Sequence, residues 1–201
     1  MITNFSWDLA ILWLSKKRLR SSFGFRTCRH CSVGCAPLDF GVTPRTHEYN
    51  TLYDLPGEVL RKRGELLRLR KYGKKWIVTH KAKGSVGRHK SRVETETEVG
   101  DGKALDHILT ALGFRPTFVY EKFRAEWSDG NGLVVLDQTP LGDIGEIEGP
   151  ARWIDGTARS LAVDRSAYMT STYTDLFFDW KRKTKTPVQE MTFAAIGKVL
   201  Q

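Results

Sequence analysis

Arg92-Val93-Glu94-Thr95-Glu96-Thr97-Glu98-Val99 alternates residue by residue, and that alternation decides the fold. Successive side chains of a β-strand point to opposite faces, so Arg92, Glu94, Glu96 and Glu98 share one face and Val93, Thr95, Thr97 and Val99 the other. A helix would scatter both sets around its axis. Working outward, neighbouring segments repeat the pattern with other charges. Leu67 and Leu69 oppose Arg68 and Arg70, while Ile77, Thr79, Lys81 and Lys83 share a side. Tyr120, Lys122, Arg124 and Glu126 oppose Val119, Phe123 and Trp127, and Asp137, Glu146 and Glu148 continue the charged face.

Runs of this kind predict strands at 48–53, 66–72, 75–81, 92–99, 118–127, 132–138 and 144–148. Gly73, Gly84, Gly87, the Asp129-Gly130-Asn131-Gly132 run and Gly142 separate them, as antiparallel connections require. Asp101 caps an expected helix through Leu112, with Leu105, Ile108, Leu109 and Leu112 on one face and Gly113 ending it. A second helix starts at Pro150 and carries Trp153, Ile154, Ala158 and Leu161; a third runs from Ser166 to Trp180. The class is α+β, mainly antiparallel β, with helices added outside a meandering sheet.

The charges are segregated by strand. Segments 66–72 and 118–127 are cationic, and 92–99 and 144–148 are rich in carboxylates. A merely solvated face would more often mix the signs. The apolar stripes of the three helices also need an apolar outer surface to cover, which turns the charged face inward. A closed barrel with a polar lumen holds that arrangement. Enclosed charges are costly unless something pairs them. A polyphosphate with divalent cations would do so: Arg and Lys take phosphate oxygens, and carboxylates take hard cations that still hold water.

Composition is consistent with this. The chain has 201 residues, 40% hydrophobic and 27% charged, which excludes a collagen, a disordered chain and a polytopic membrane protein. The net charge of +9 is uneven, because residues 1–92 hold 20 Lys and Arg against 6 Asp and Glu and residues 93–201 hold 12 against 17. Two halves of opposite sign can meet around one polyanion and its metal ions. The basic stretches at 61–63 and 181–185 lack interleaved aromatic residues to stack bases, so no nucleic-acid partner is expected. Residues 9–14, LAILWL, are too short to span a bilayer, and their basic residues follow the apolar run instead of preceding it. The expectation is a cytoplasmic protein with no membrane partner. Cys28, Cys31 and Cys35, with His30 or His47, have some of the makings of a zinc site but lack a second paired motif.

Taken together, NTLYD (50–54), LLRLR (66–70), THKAKG (79–84), RVETETEV (92–99), YEKFR (120–124) and LDQTPLGDIGEIEG (136–149) resemble the CYTH superfamily. These are the triphosphate tunnel enzymes, which include class IV adenylyl cyclases and thiamine triphosphatases. TYTDLF (172–177) also fits the family's late aromatic helix. The resemblance implies an eight-stranded antiparallel barrel whose lumen binds a nucleoside or inorganic triphosphate with Mg²⁺ or Mn²⁺. It makes Arg68, Arg70, Lys81, Lys122 and Arg124 triphosphate ligands. Glu146 and Glu148 become metal ligands, with Glu94 and Asp137 as lesser candidates, and Lys81 and Asp137 the groups nearest the chemistry. The activity implied is adenylyl cyclase-like, from ATP to cyclic AMP and pyrophosphate, with a triphosphatase or a catalytically impaired triphosphate binder as alternatives. Relatives are often homodimers.

The departure from the family lies at the start. Members begin with a strand carrying Glu-x-Glu-x-Lys, and residues 1–47 contain no such motif. Ser171 also stands where relatives often carry a basic residue. The expected organisation is an atypical segment at 1–41, read as a non-native frame, a CYTH domain at 42–180 and a basic tail at 181–201. Without its first strand the sheet would remain open, with unpaired edges.

Overall fold

Seven long strands between Thr46 and Gly149 form one continuous antiparallel sheet in the computed structural model of the chain. The structure describes residues 3–14, 41–42, 45–86, 90–161, 163, 168–169 and 171–199, with the backbone alone at 3–14, 41–42, 86 and 90. In chain order the strands are β1 Thr3–Leu14, β2 Gly41–Val42, β3 Thr46–Asp54, β4 Leu66–Tyr72, β5 Lys75–Lys81, β6 Ser85–Val86, β7 Lys90–Val99, β8 Arg115–Ser128, β9 Leu133–Thr139, β10 Gly142–Gly149 and β11 Tyr168–Met169. The helices are α1 Val59–Arg63, α2 Gly102–Ala111, α3 Ala151–Ser160, α4 Tyr173–Thr184 and α5 Phe193–Gly197.

The sheet order is β10-β9-β8-β3-β4-β5-β7, and β1 pairs with both ends of it. Asp8–Leu14 run antiparallel to β10, and Thr3–Leu9 run antiparallel to β7. Eight strands therefore close into a ring, which leaves no long unpaired edge. The open sheet expected from the sequence is corrected here. The chain lacks the Glu-x-Glu-x-Lys motif, but a strand stands in the closing position.

Register carries the sequence alternation into three dimensions. Glu48 pairs with Lys122 and Tyr72, Asn50 with Arg70 and Tyr120, Arg68 with Thr79, and Lys81 with Glu94. Arg124 pairs with Asp137, and Glu146 with Val135. Directly paired residues share a face, so these polar side chains line one interior.

Two helices cover the outside, as expected. Asp101 accepts from the backbone N–H groups of Lys103 and Ala104 at 2.8 and 3.1 Å and so starts α2. That helix lays Leu105 and Leu109 on Tyr53, Leu69 and Trp76. α3 packs Ile154 and Ala158 on Ile147 of β10. The third helix behaves differently. Thr172 and Asp175 form a capping box, so α4 starts at Tyr173, seven residues later than predicted, and continues to Thr184. Its Phe177 is fully buried against Leu52, Phe118 and Tyr120, which share the interior register of β3 and β8. α4 thus caps one end of the barrel on its inner face.

The basic segment after Lys181, described to Val199, is tied to the barrel. Lys181 to Thr184 belong to α4, Met191 bridges to Tyr120 in parallel, and Ile196 is buried in the same cluster as Phe177. The sequence reading also missed α1. Asp54 organises it by accepting from the N–H groups of Leu55, Leu60 and Arg61 at 2.7, 2.8 and 3.0 Å.

Candidate functional site

A fully buried carboxylate, Glu48, stands at the centre of the interior. It lies 3.3 Å from Arg70, 3.4 Å from Lys122 and 3.5 Å from Arg124. Burial alone would raise its pKa, but Lys122, Arg124 and Arg70 outweigh that and hold it at about 2. Asp137, on β9, accepts from Lys122 Nζ at 2.8 Å and takes a two-pronged bond from Arg124 at 2.8 and 2.7 Å. Despite burial, these two cations drive its pKa well below the usual carboxylate range. Arg124 also donates to Glu146 at 2.7 Å. Tyr173 reaches in from α4, with its hydroxyl 2.5 Å from Asp137 and 2.7 Å from Glu146, and Lys122 sits over its ring at 4.7 Å.

The neighbouring strands build a second cluster. Arg68 donates to Thr79 at 3.1 Å and lies 3.5 Å from Glu96, which in turn accepts from Thr79 at 2.7 Å. Lys81 donates to Glu94 at 2.5 Å. Burial, with Arg68 alongside, lowers Lys81 to about 8 although Glu94 opposes the shift. Arg70 is anchored through Nε on the Asn50 carbonyl oxygen at 2.8 Å.

All the residues singled out from the sequence face this one interior. Arg70, Lys122, Arg124, Asp137 and Glu146 are joined through Glu48 and the contacts above. Arg68 and the Lys81–Glu94 pair stand beside them on β4, β5 and β7, and Glu148 stands two residues beyond Glu146 on the same face. Asp137 differs from the expectation in one respect. Both its oxygens are committed to Lys122, Arg124 and Tyr173, so the geometry makes it a residue that positions cations and leaves it no free edge for a substrate. The sequence reading overlooked Glu48, Asn50 and Tyr173. The polar alternation at 48 and 50 was a visible signal, whereas nothing in the sequence marks Tyr173 as entering the barrel. Arg61, Lys62 and Arg63 are exposed on α1. The Cys28, Cys31 and Cys35 spacing lies outside the described residues.

Whether these residues suit Mg²⁺ or Mn²⁺ turns on β10. Among the described residues no three of His, Cys, Asp and Glu converge to hold an ion. Burial, and the Glu146 carboxylate next to it, push Glu148 up to about 7, with Arg124 and Lys81 only partly offsetting them. Two carboxylates that repel each other are a fit for a hard cation completed by water and phosphate oxygens, as Mg²⁺ prefers. They do not suffice for a cation held by protein alone. The β1 residues in register with Glu148 and Glu146 are Leu9 and Ile11, and neither residue type offers a ligand atom. No helix among the described residues is long and apolar enough to cross a membrane.

A family model described as the CYTH domain matches residues 37–151. No curated protein matches the sequence. Among solved structures, the PH1012 protein from Pyrococcus horikoshii OT3 superposes with a TM-score of 0.68 at 19% identity, covering 85% of this chain and 98% of its own. A Vibrio parahaemolyticus protein, named as a candidate adenylate cyclase, gives 0.67 at 13% identity, covering 86% and 97%. HpAC1 from Hippeastrum, for which a dominant triphosphatase activity is described, gives 0.62 at 13% identity, covering 87% and 95%. At these identities the likeness is one of fold.

Proposed function

Since the chain belongs to the CYTH domain family, we propose that it binds a triphosphate inside its barrel and cleaves it with the help of Mg²⁺ or Mn²⁺. The observation that carries this reading is the convergence of Arg68, Arg70, Lys81, Lys122 and Arg124 on one interior, with Glu146 and Glu148 on the same face. Arg68, Arg70 and Lys81 supply the direct phosphate contacts. Lys122 and Arg124, locked by Glu48 and Asp137, act as a fixed positive wall behind them. Such preorganised charge stabilises a transition state without reorganising as the reaction proceeds.

Glu146 and Glu148 would hold the cation, which neutralises phosphate charge when bound. Hydrolysis is the reaction the geometry favours most. Water attack on a terminal phosphorus needs only phosphate and cation contacts, and the described interior is lined with those. Of the aromatic groups on that face, Tyr120, Tyr173 and Phe118 are engaged with each other and with Phe177 under α4, and Tyr72 stands opposite Glu48. Cyclisation of ATP, the adenylyl cyclase-like reading, needs in addition a seat for base and ribose.

A second reading is a triphosphate binder with weak catalysis, favoured by the absence of ligand-bearing residue types at Leu9 and Ile11 of β1. The experiment is to incubate the purified chain with tripolyphosphate or ATP and Mn²⁺, then measure phosphate, pyrophosphate and cyclic AMP. Phosphate release from tripolyphosphate supports hydrolysis, cyclic AMP supports the cyclase, and saturable binding without product supports the binder.

A further inference from the structure

Three neighbouring interior side chains keep unsatisfied polar atoms. Both carboxylate oxygens of Glu48, Nδ2 of Asn50 and Nε of Arg68 are buried without a hydrogen-bond partner. Glu48 and Asn50 are fully buried and Arg68 is 6% exposed. Glu48 and Asn50 stand two residues apart on one face of β3, and Arg68 lies diagonally across from Asn50 on β4. Because Arg70 Nε donates to Asn50 Oδ1, the amide orientation is fixed and Nδ2 is the free end. Buried donors and acceptors left open in this way call for an occupant.

The chemistry of the recess narrows what that occupant is. It must donate to a carboxylate and accept from an amide or guanidinium. A metal ion would face Arg70, Lys122 and Arg124, all within 3.5 Å of Glu48. A phosphate oxygen would meet the Glu48 carboxylate. A water satisfies both sides.

We propose that this recess holds the water that attacks the terminal phosphorus, gripped by Glu48 and Asn50; the inference rests on the hydrolytic reading above. Arg70 links the recess to the phosphate contacts, with Nε on Asn50 at 2.8 Å and Nη1 3.3 Å from Glu48. In the step itself the water oxygen forms a bond to the terminal phosphorus, and the bridging P–O bond breaks with its electron pair leaving on the diphosphate. The water proton passes to Glu48 and then to solvent. A loose phosphoryl-transfer transition state asks for orientation of the nucleophile more than for a strong base, so a carboxylate held anionic by three cations is adequate.

The test is steady-state hydrolysis of tripolyphosphate with Mn²⁺ by the full chain, its Glu48→Gln variant and its Asn50→Asp variant. Asn50→Asp keeps an acceptor for Arg70, removes the donor to the water and adds a negative charge beside it. The expected result is a fall in kcat of about 100-fold or more for Glu48→Gln and about 10-fold for Asn50→Asp, with KM of Glu48→Gln within about twofold of wild type. Wild-type kcat in both variants overturns the inference and leaves the hydrolytic reading standing. If the wild-type chain binds tripolyphosphate but does not cleave it, that reading falls and the inference with it. Should Glu48→Gln fail to fold, Asn50→Asp and a high-resolution crystal structure of the resting wild type decide. No ordered water within hydrogen-bond distance of both Glu48 and Asn50 overturns the inference.

Discussion

Tyr173, in the first turn of α4, places its hydroxyl 2.5 Å from Asp137 of β9 and 2.7 Å from Glu146 of β10. One phenol proton is shared between two carboxylates on neighbouring strands, and the ring stacks on Tyr120 at 5.3 Å. Burial, with Asp137 and Glu146 beside it, raises the phenol well above its ordinary value, so it stays protonated. Tyr173→Phe removes that proton and leaves Arg124 alone between the two carboxylates. The expected loss is about 1–3 kcal/mol of stability, read by urea denaturation, together with tighter Mn²⁺ binding because Glu146 Oε1 is released.

Asp137 neutralises two buried cations at once, Lys122 and Arg124. Asp137→Ala leaves both short of a partner. The expected cost is about 3–5 kcal/mol, measured as a shift of the denaturation midpoint at unchanged slope. A loss below about 1 kcal/mol would mean that Glu48 and Glu146 carry the cations without it.

Glu148 gives the resting protein a pH dependence of definite sign. Its folded pKa is raised from 4.5 to about 7, so between those values the folded state binds more protons than the unfolded one. Its contribution is complete below pH 4.5 and is lost as pH rises through 7. A divalent cation displaces the same proton, so its affinity should rise through that window. Thermal melts and Mn²⁺ titrations across the range, repeated with Glu148→Gln, check both slopes. The variant should flatten them.

Gly102 starts α2 directly over Trp76, where an added Cβ would lie 2.0 Å from the indole. Alanine is ordinarily the better helix former. Here Gly102→Ala should nevertheless destabilise by about 1–3 kcal/mol, because the core under α2 must shift to admit a methyl group. Thermal or chemical denaturation reads the sign directly.

Strands and their inward face were legible because Arg68/Arg70, Lys122/Arg124 and Glu94/Glu96 alternate with apolar neighbours, and period two has one structural meaning. β1 was not legible for the complementary reason. Leu9 to Leu14 are apolar on both faces, so no alternation marks a strand there. Most of the site follows from that inward face, but the contact of Tyr173 with Asp137 spans 36 positions and depends on how α4 enters the barrel. For Glu48 the alternation with Asn50 marks the inward face, but only register shows that it stands among Arg70, Lys122 and Arg124. Met191 and Ile196 follow the basic run at 181–185, and only their burial beside Phe177 shows that the C-terminal segment belongs to the core.

The central claim is that the barrel interior is a metal-assisted triphosphate site, and calorimetric titration of tripolyphosphate tests it most directly. The account predicts saturable binding that strengthens with Mn²⁺, changes little with added salt and weakens at least about 10-fold in Arg68→Ala, the loss of one charge-assisted contact to a phosphate. Binding that is equally tight in Arg68→Ala, indifferent to Mn²⁺ and abolished by moderate salt would contradict it, because it would locate the affinity on the exposed basic surface.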